Sequence, residues 1–572
     1  MIKRRKKSKR NLITYDTNKR IYTLVVFVLV ISVALSWRLY YLQIIKGDYY
    51  SAAARGASFE RQIQLPRGNV YFRDKGGDGQ YLAATNEPRP LLYADPREVE
   101  DEEVLLNQIA EIIEIETEDY ELILNRLKNK KSSYALIKKE LTKDEAEKIN
   151  DFKLKGVYAR PELVRIYPAG KVGASALGFL GFREDKRIGQ YGVEEAYDEV
   201  LSGVSFGSGV LDLFSKNENT PSDLYLTIDY SIQFMVEKKL EEIQNNLDAD
   251  FVSAIFMDPS TGEILTMAQK PGFNPNSYQD VSDVDIFKNT MVQSSFELGS
   301  VFKPITVASA IDGGAITPQT VYNDTGVVNI SGYTIRNSDG QAHQLQTITE
   351  ALEKSLNTGM VFVQQQLGKK SFRDYLEAFQ LDKWTGIDLS GEVGGNIENI
   401  KNTNRDINFA TASFGQGISF SPLRFLTSFS AIANNGKIMK PFLVKKVTNN
   451  TGETITEPKE MGQPISALTA SRVTAMMVSV TENGFGKKAA VEGYNVATKT
   501  GTAQIPNVDG PGYSTETIHG FVGFAPAYNP KFVGFIMAYN PKQGPRFSAD
   551  SVAPVFGDIA SFILQYYKIP PQ

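Results

Sequence analysis

The chain reads as a multidomain α+β protein. It has an N-terminal transmembrane helix, an elongated and charged mixed α/β region, and a C-terminal domain with a central antiparallel sheet flanked by helices. Three observations predict this. At 572 residues the chain is too long for one ordinary domain. An uncharged apolar run, Ile21 to Trp37, follows a basic cluster. Strand-like segments then lie at both ends of the C-terminal half, with helical segments between them.

The N-terminus sets the topology. Residues 1–20 carry nine Lys and Arg against one acid, Asp16, so this segment is +8 and the net charge of −4 leaves −12 for the remainder. A basic tail that runs straight into an apolar stretch serves membrane orientation rather than nucleic-acid binding. The seventeen uncharged residues end at Arg38 and continue as Leu39-Tyr40-Tyr41-Leu42. Tyr22, Trp37, Tyr40 and Tyr41 fall where interfacial aromatics belong. No small-residue cleavage site follows directly, because Ser51-Ala52-Ala53-Ala54 comes too late. The expectation is an uncleaved single-pass anchor over 21–45, residues 1–20 in the cytoplasm and the rest outside it, at the cell membrane.

Composition narrows the chemistry. With 42% hydrophobic and 22% charged residues the chain has the makeup of a folded protein. It has no cysteine, which removes disulfides, thiol nucleophiles and thiolate metal sites. Only His343 and His519 are available to a Ser-His-Asp mechanism, and both read as structural.

Glu100–Phe152 is dense in charge, with Val104, Leu105, Ile109, Ile112 and Ile113 at helical spacing, and reads as a helical subdomain over about 100–155. Lys216–Asp223 is polar and turn-rich, as a linker is. Leu224–Ile228 predicts a strand, and Asp229 opens a helix through Ile243. Phe251–Met257 and Glu263–Ala268 predict a hairpin around Asp258-Pro259-Ser260-Thr261-Gly262. Ala497–Gln504, His519–Phe524 and Phe532–Tyr539 predict three further strands, and Ala553–Tyr567 a closing helix. Ile348–Leu367, Pro422–Asn434 and Ala467–Glu482 predict the helices between.

Three short motifs carry the chemistry. Ser300-Val301-Phe302-Lys303 is the only S-x-x-K, Lys499-Thr500-Gly501 the only K-[ST]-G, and Ser355-Leu356-Asn357 lies between them. Another S-x-N, Ser215-Lys216-Asn217, is out of order. A serine hydroxyl needs a base, and residues three apart on a helix share a face, so Lys303 can reach Ser300. The lysine must be neutral, and desolvation or the nearby Lys499 cation favours that form. Pro304 suits a first helical turn, which places Ser300 at a helix N-terminus where free backbone amides can stabilise an oxyanion. Alternation at Ser355 and Asn357 turns two polar groups to the pocket while Leu356 packs behind. On a strand, Lys499 and Gly501 share one face and Thr500 and Thr502 the other. Gly501 leaves room for a substrate backbone, so this edge can bind an extended peptide.

The ordered trio resembles that of class B penicillin-binding proteins, the D,D-transpeptidases of peptidoglycan. Arg67-Gly68-Asn69-Val70-Tyr71, Arg165-Ile166-Tyr167-Pro168-Ala169-Gly170 and Tyr191–Asp198 resemble motifs of that family's pedestal, or dimerisation-type, domain, here 46–222. Asp258–Ile264 and Gly415–Pro422 resemble two segments of its penicillin-binding, serine β-lactamase-like transpeptidase domain, here 223–572. Glu297-Leu298-Gly299-Ser300 is more similar to the septal, FtsI-type branch than to the elongation branch. Phe72 stands before Arg73 where the family usually has an acid, which weakens the salt bridge inferred there, and the loop Asp74–Gln80 is longer than usual.

The resemblance implies that Ser300 is the nucleophile and Lys303 its base, with Ser355 and Lys499 in proton transfer. It also implies that Asn357 positions substrate, that Thr500, Gly501 and Thr502 bind it, and that the backbone amides of Ser300 and Thr502 form the oxyanion hole. Peptidoglycan stem peptides would be substrates and β-lactams covalent inhibitors. A polytopic membrane glycan polymerase of the FtsW type and other division proteins would be partners. No metal, cofactor or nucleic acid is implied.

Other readings share the trio. A serine β-lactamase or carboxypeptidase would hydrolyse, but the E-x-x-L-N loop of class A enzymes is missing, since neither Glu392–Asn396 nor Glu398–Asn402 has Leu before Asn. A β-lactam-sensing receptor would need a transducing domain that twenty cytoplasmic residues do not offer. The intact trio argues against an inactive divisome scaffold.

Overall fold

The computed structural model describes residues 17–40, 66–74, 79–115, 117–130, 132, 135–138, 141–183, 186–203, 220–507, 510 and 512–571. The basic tail to Asp16, the end of the expected anchor (41–45), part of the long loop (75–78) and the first half of the expected linker (216–219) lie outside them. Helix α1 (Thr17–Tyr40) spans the apolar run, with Leu24–Val30 exposed along it. Among the described residues no helix is long and apolar enough to cross a membrane.

The chain divides into two compact units, residues 1–65 with 90–163 and residues 66–89 with 164–572. Strands β1 (Val70–Arg73) and β2 (Gln80–Ala94) come first, and β2 runs from the second unit into the first. In the first unit α2 (Glu102–Ala110), α3 (Thr117–Lys128), β3 (Ala135–Lys138) and α4 (Lys143–Phe152) surround a core of Leu92, Leu106, Ile109, Leu127 and Ile149. The starts of α2 and α4 are written locally. Asp101 caps the first, and a Thr142–Glu145 capping box closes the second. Of the apolar positions read as the helical face, Val104 is exposed and Leu105, Ile109 and Ile113 are buried.

Strand β4 (Val157–Ile166) runs from the first unit into the second, where it ends at the start of a buried ionic cluster centred on α5 (Gly192–Ala196). Glu194 accepts from Arg67 Nε at 2.7 Å and Arg165 Nε at 2.8 Å, and Arg67 also pairs with Asp198 at 2.6 Å. The Tyr167 hydroxyl donates to Glu194 at 3.2 Å. The three motifs of the N-terminal half are thus one structure. Burial pushes the Glu194 carboxyl up, but the charges of Arg165 and Arg67 overcome this and hold it below its usual range.

Arg73 is not left without an acid by the Phe72 departure. Phe72 is buried in the core, and Arg73 pairs with Glu263 at 3.0 Å and donates to the Tyr567 hydroxyl at 3.1 Å. Strand β5 (Asp223–Asp229) lies parallel to β1, and α6 (Tyr230–Leu247) follows it, capped by Asp229.

The central sheet is built from β6 (Phe251–Met257) and β7 (Ile264–Lys270), with three strands from the C-terminus. Helices α7 (Lys303–Asp312), α8 (Ile348–Glu353), α9 (Asn357–Leu367) and α10 (Pro422–Ala433) follow in the chain. Strands β8 (Val444–Asn449) and β9 (Gly452–Ile455) extend the first sheet to the order β9-β8-β5-β1-β2. After α11 (Ala467–Asn483) come β10 (Ala497–Pro506), β11 (Tyr513–Ala525), β12 (Phe532–Tyr539) and α12 (Ala553–Tyr566). The central sheet is antiparallel throughout, as the sequence predicts, and its strand order is β10-β11-β12-β6-β7.

Strand β12 shows why these strands read as continuous apolar runs. Val533, Phe535 and Met537 join one core and Phe532, Ile536 and Ala538 the other, so both faces are covered. Helices α6 and α12 supply the second core, while α7, α10 and α11 supply the first. Strand β10 is left at the edge.

One expected helix is two. The span 348–367 is interrupted between α8 and α9, because Ser355 adopts φ +53° in the left-handed region. The turn is a Schellman closure: Leu356 N–H donates to Ala351 O at 2.8 Å and Ser355 N–H to Leu352 O at 3.2 Å. Glycine usually takes this position, so a serine here carries strain of about 1 kcal/mol.

Candidate active site

The site forms where the 3₁₀ turn Gly299–Phe302, the α8–α9 break and edge strand β10 meet. Ser300 sits in the turn, half-buried, and α7 starts at Lys303 with Pro304 in its first turn. The expected helix N-terminus at Ser300 is therefore present in 3₁₀ form. In that geometry residues three apart eclipse, which puts Ser300 and Lys303 on one side of the turn.

The turn is wedged in place by two glycines. Gly299 has φ +61°, and a Cβ there would lie 2.8 Å from the Ala503 Cβ on β10. A Cβ at Gly501 would lie 2.9 Å from both the Val301 backbone N and its Cγ1. The missing side chain lets β10 press against the turn that carries Ser300, a demand set by tertiary packing.

Lys303 and Lys499 are both fully buried and meet at Ser355. Lys303 Nζ donates to Ser355 O at 2.6 Å and to Ser355 Oγ at 3.2 Å. Lys499 Nζ donates to Ser355 Oγ at 2.9 Å and to Thr500 O at 2.9 Å. Burial first, and the Lys499 charge second, hold the Lys303 amine well below its ordinary value. Burial lowers Lys499 to about 7.

Ser355 and Asn357 do not alternate as on a strand. Ser355 is left-handed, Leu356 is extended and buried behind the site as expected, and Asn357 opens α9. Asn357 Nδ2 donates to Arg336 O at 2.9 Å. One residue on, Thr358 Oγ1 donates to buried Asp324 at 2.6 Å, and Asn337 Nδ2 donates to the same carboxylate at 2.9 Å. Burial pushes the Asp324 carboxyl up, and its hydrogen bonds from Thr358 and the Gly326 N–H bring it below its ordinary value. This brace is absent from the sequence reading, since its members are ordinary polar residues in separate segments.

Thr502 is half-buried, and its hydroxyl accepts from Ser548 N–H at 3.1 Å. Glu297 ties the lead-in to both flanks, accepting from Gly417 N–H at 2.9 Å and from the Tyr513 hydroxyl at 2.9 Å. Burial raises its carboxyl pKa despite these bonds. The structure thus brings Lys303, Ser355 and Lys499 into direct contact and places Ser300, Thr500, Gly501 and Thr502 around them. Asn357 stands at the adjoining helix start.

Comparisons with known proteins agree with one another. Residues 252–561 match the penicillin binding protein transpeptidase domain, and residues 62–210 match the penicillin-binding protein dimerisation domain. The chain is 30% identical to stage V sporulation protein D of Bacillus subtilis, over 97% of this chain and 86% of that protein. It is 29% identical to the peptidoglycan D,D-transpeptidase FtsI of Escherichia coli, over 93% and 89%. Among solved structures, penicillin binding protein 2X of Streptococcus thermophilus shares the fold with a TM-score of 0.71 at 21% identity, over 89% of this chain and 81% of that one. Penicillin binding protein 3 of Mycobacterium tuberculosis, complexed with aztreonam, matches with a TM-score of 0.67 at 26% identity, over 89% and 98%.

Proposed function

Since the chain belongs to the penicillin-binding protein transpeptidases, of class B architecture with a dimerisation domain before the transpeptidase domain, we propose that it cross-links peptidoglycan stem peptides through a Ser300 acyl-enzyme. The observation that carries this reading is the meeting of two buried lysines on the Ser355 hydroxyl.

In the neutral Lys303 amine both N–H bonds are engaged by Ser355 O and Oγ, which leaves the nitrogen lone pair to take a proton. Lys303 removes the Ser300 proton as Oγ bonds to the penultimate D-Ala carbonyl carbon. The backbone N–H groups of Ser300 and Thr502 receive the oxyanion. Collapse breaks the peptide bond, and Ser355, between Lys303 and Lys499, passes a proton to the departing D-Ala amine. The amine of a neighbouring stem then attacks the ester, reforms a peptide bond and returns the proton to Ser300. Asn357 positions the donor amide. Thr500, Gly501, Thr502 and the β10 edge hold the terminal residue and its carboxylate. A β-lactam would acylate Ser300 by the same route.

The remainder of the reading concerns placement. Pedestal and transpeptidase domains are assigned to 46–222 and 223–572, supported by the matched segments. Residues 21–45 serve as a single-pass anchor with residues 1–20 in the cytoplasm, supported by the charge pattern and apolar run of the sequence. Similarity to FtsI supports a septal role, and the FtsW-type glycan polymerase proposed as membrane partner rests on the family resemblance of the sequence alone.

The test is labelling with fluorescent penicillin. Wild type is expected to label stably and Ser300→Ala to stay dark. Retention of label by Ser300→Ala would sink the nucleophile assignment, and release within seconds would identify a hydrolase instead.

A further inference from the structure

The sequence leaves His519 as one of two structural histidines. Its position says more. In the β10–β11 pairing His519 stands directly opposite Thr502, and its ring is buried, with 2% of the residue exposed. Nδ1 lies 2.8 Å from Ser551 Oγ. Ser551 closes the short helical turn that Ser548 opens. Ser548 is the residue whose N–H donates to the Thr502 hydroxyl, and the two side-chain oxygens are 3.4 Å apart.

Burial lowers the ring to about 4, so it is neutral at ordinary pH, with one donor and one acceptor nitrogen. The ring is thus tied to Ser551, at the end of the helical turn whose first residue, Ser548, donates to the Thr502 hydroxyl.

We infer that His519 is a positioning residue for acylation: through Ser551 it clamps the Ser548–Ser551 turn so that Ser548 holds Thr502 in place for the carboxylate of a stem peptide or β-lactam. This rests on the proposed role of Thr502 and goes beyond it by naming what orients that side chain.

A double-mutant cycle on the full chain in detergent tests it, reading the second-order rate constant for benzylpenicillin acylation. His519→Ala is expected to slow acylation about tenfold in the wild-type background, and less than twofold when Thr502 is already Val. His519→Asn, which keeps a donor and an acceptor, should recover part of the loss. Because a core substitution in β11 can unfold the domain, Ser551→Ala serves as a second probe, breaking the same clamp from outside the sheet. Its effect should also vanish in the Thr502→Val background. Full additivity of either variant with Thr502→Val, at unchanged thermal midpoint, overturns the clamp while leaving the transpeptidase reading standing. Absence of any Ser300-dependent label in the wild type overturns that reading itself, so the two failures are distinct.

Discussion

Lys303 and Lys499 donate to one oxygen, the Ser355 hydroxyl, from 3.2 and 2.9 Å. One comes from the first turn of a helix and the other from an edge strand, 196 positions apart in the chain. Neither lysine has a carboxylate among these bonds. Burial lowers both amines and the Lys499 charge lowers Lys303 further, which is the condition a lysine base requires.

The pH profile of acylation should report this pair. Lys303 works as the free amine, so the acid limb of the rate profile follows its protonation. Lys499→Met removes a repelling charge, which raises the Lys303 pKa and moves the acid limb to higher pH. Stopped-flow acylation from pH 5 to 9 would show it, and a limb that stays put or moves down rejects the coupling.

Lys499 also makes stability depend on pH. Its folded value of about 7 lies below its ordinary 10.5, so between these values the unfolded chain binds more protons. Its contribution is therefore present above 10.5 and is lost as pH falls through 7. Lys499→Met should flatten that slope and raise stability by about 1–2 kcal/mol at neutral pH, measured by urea unfolding.

Ser355 separates backbone strain from hydroxyl chemistry. Both Ser355→Ala and Ser355→Gly remove the relay and should slow acylation about a hundredfold or more. Only glycine relieves φ +53°, so Ser355→Gly should be more stable than Ser355→Ala by about 1 kcal/mol. Equal melting temperatures would show that the turn stores no strain.

Gly501→Ala is expected to leave the fold intact and displace the nucleophile turn, since its Cβ would meet the Val301 backbone at 2.9 Å. A shift of this kind costs about a hundredfold in acylation. If a crystal structure of the variant showed Ser300 unmoved and labelling unchanged, the wedge would be wrong.

Glu194→Gln should cost about 3–5 kcal/mol, because Arg67 and Arg165 would remain buried without their shared counter-charge. In the wild type the carboxyl lies below its ordinary 4.5. Its contribution is therefore complete above pH 4.5 and lost as pH falls through the depressed folded value. Urea titrations at pH 7 and pH 3.5 would show a smaller penalty for the variant at the lower pH.

The strands of the central sheet were legible because burial on both faces leaves an uninterrupted apolar signature, as in Phe532–Tyr539. The helix break at Ser355 was not, because serine has no local preference that announces a left-handed turn. Tertiary contacts from both lysines to Ser355 hold it there. The contact of Gly501 with the nucleophile turn was hidden for a related reason: a glycine shows that space is needed, and only the packed chain shows that Val301 takes it. Arg73 makes the same point, finding in Glu263 the acid that its own motif lacks.

By itself the sequence determined which side chains are available for chemistry: one serine–lysine pair at helical spacing, one K-T-G segment, no thiol and two histidines. It also determined the periodicities that make the sheet and its helices. Only the tertiary structure decided that Lys303 and Lys499 share Ser355, that Gly501 seats the nucleophile turn, and that Thr502 and His519 stand in register. Periodicity is a property of neighbours in the chain, whereas desolvation, clash and charge repulsion act between residues that only folding brings together.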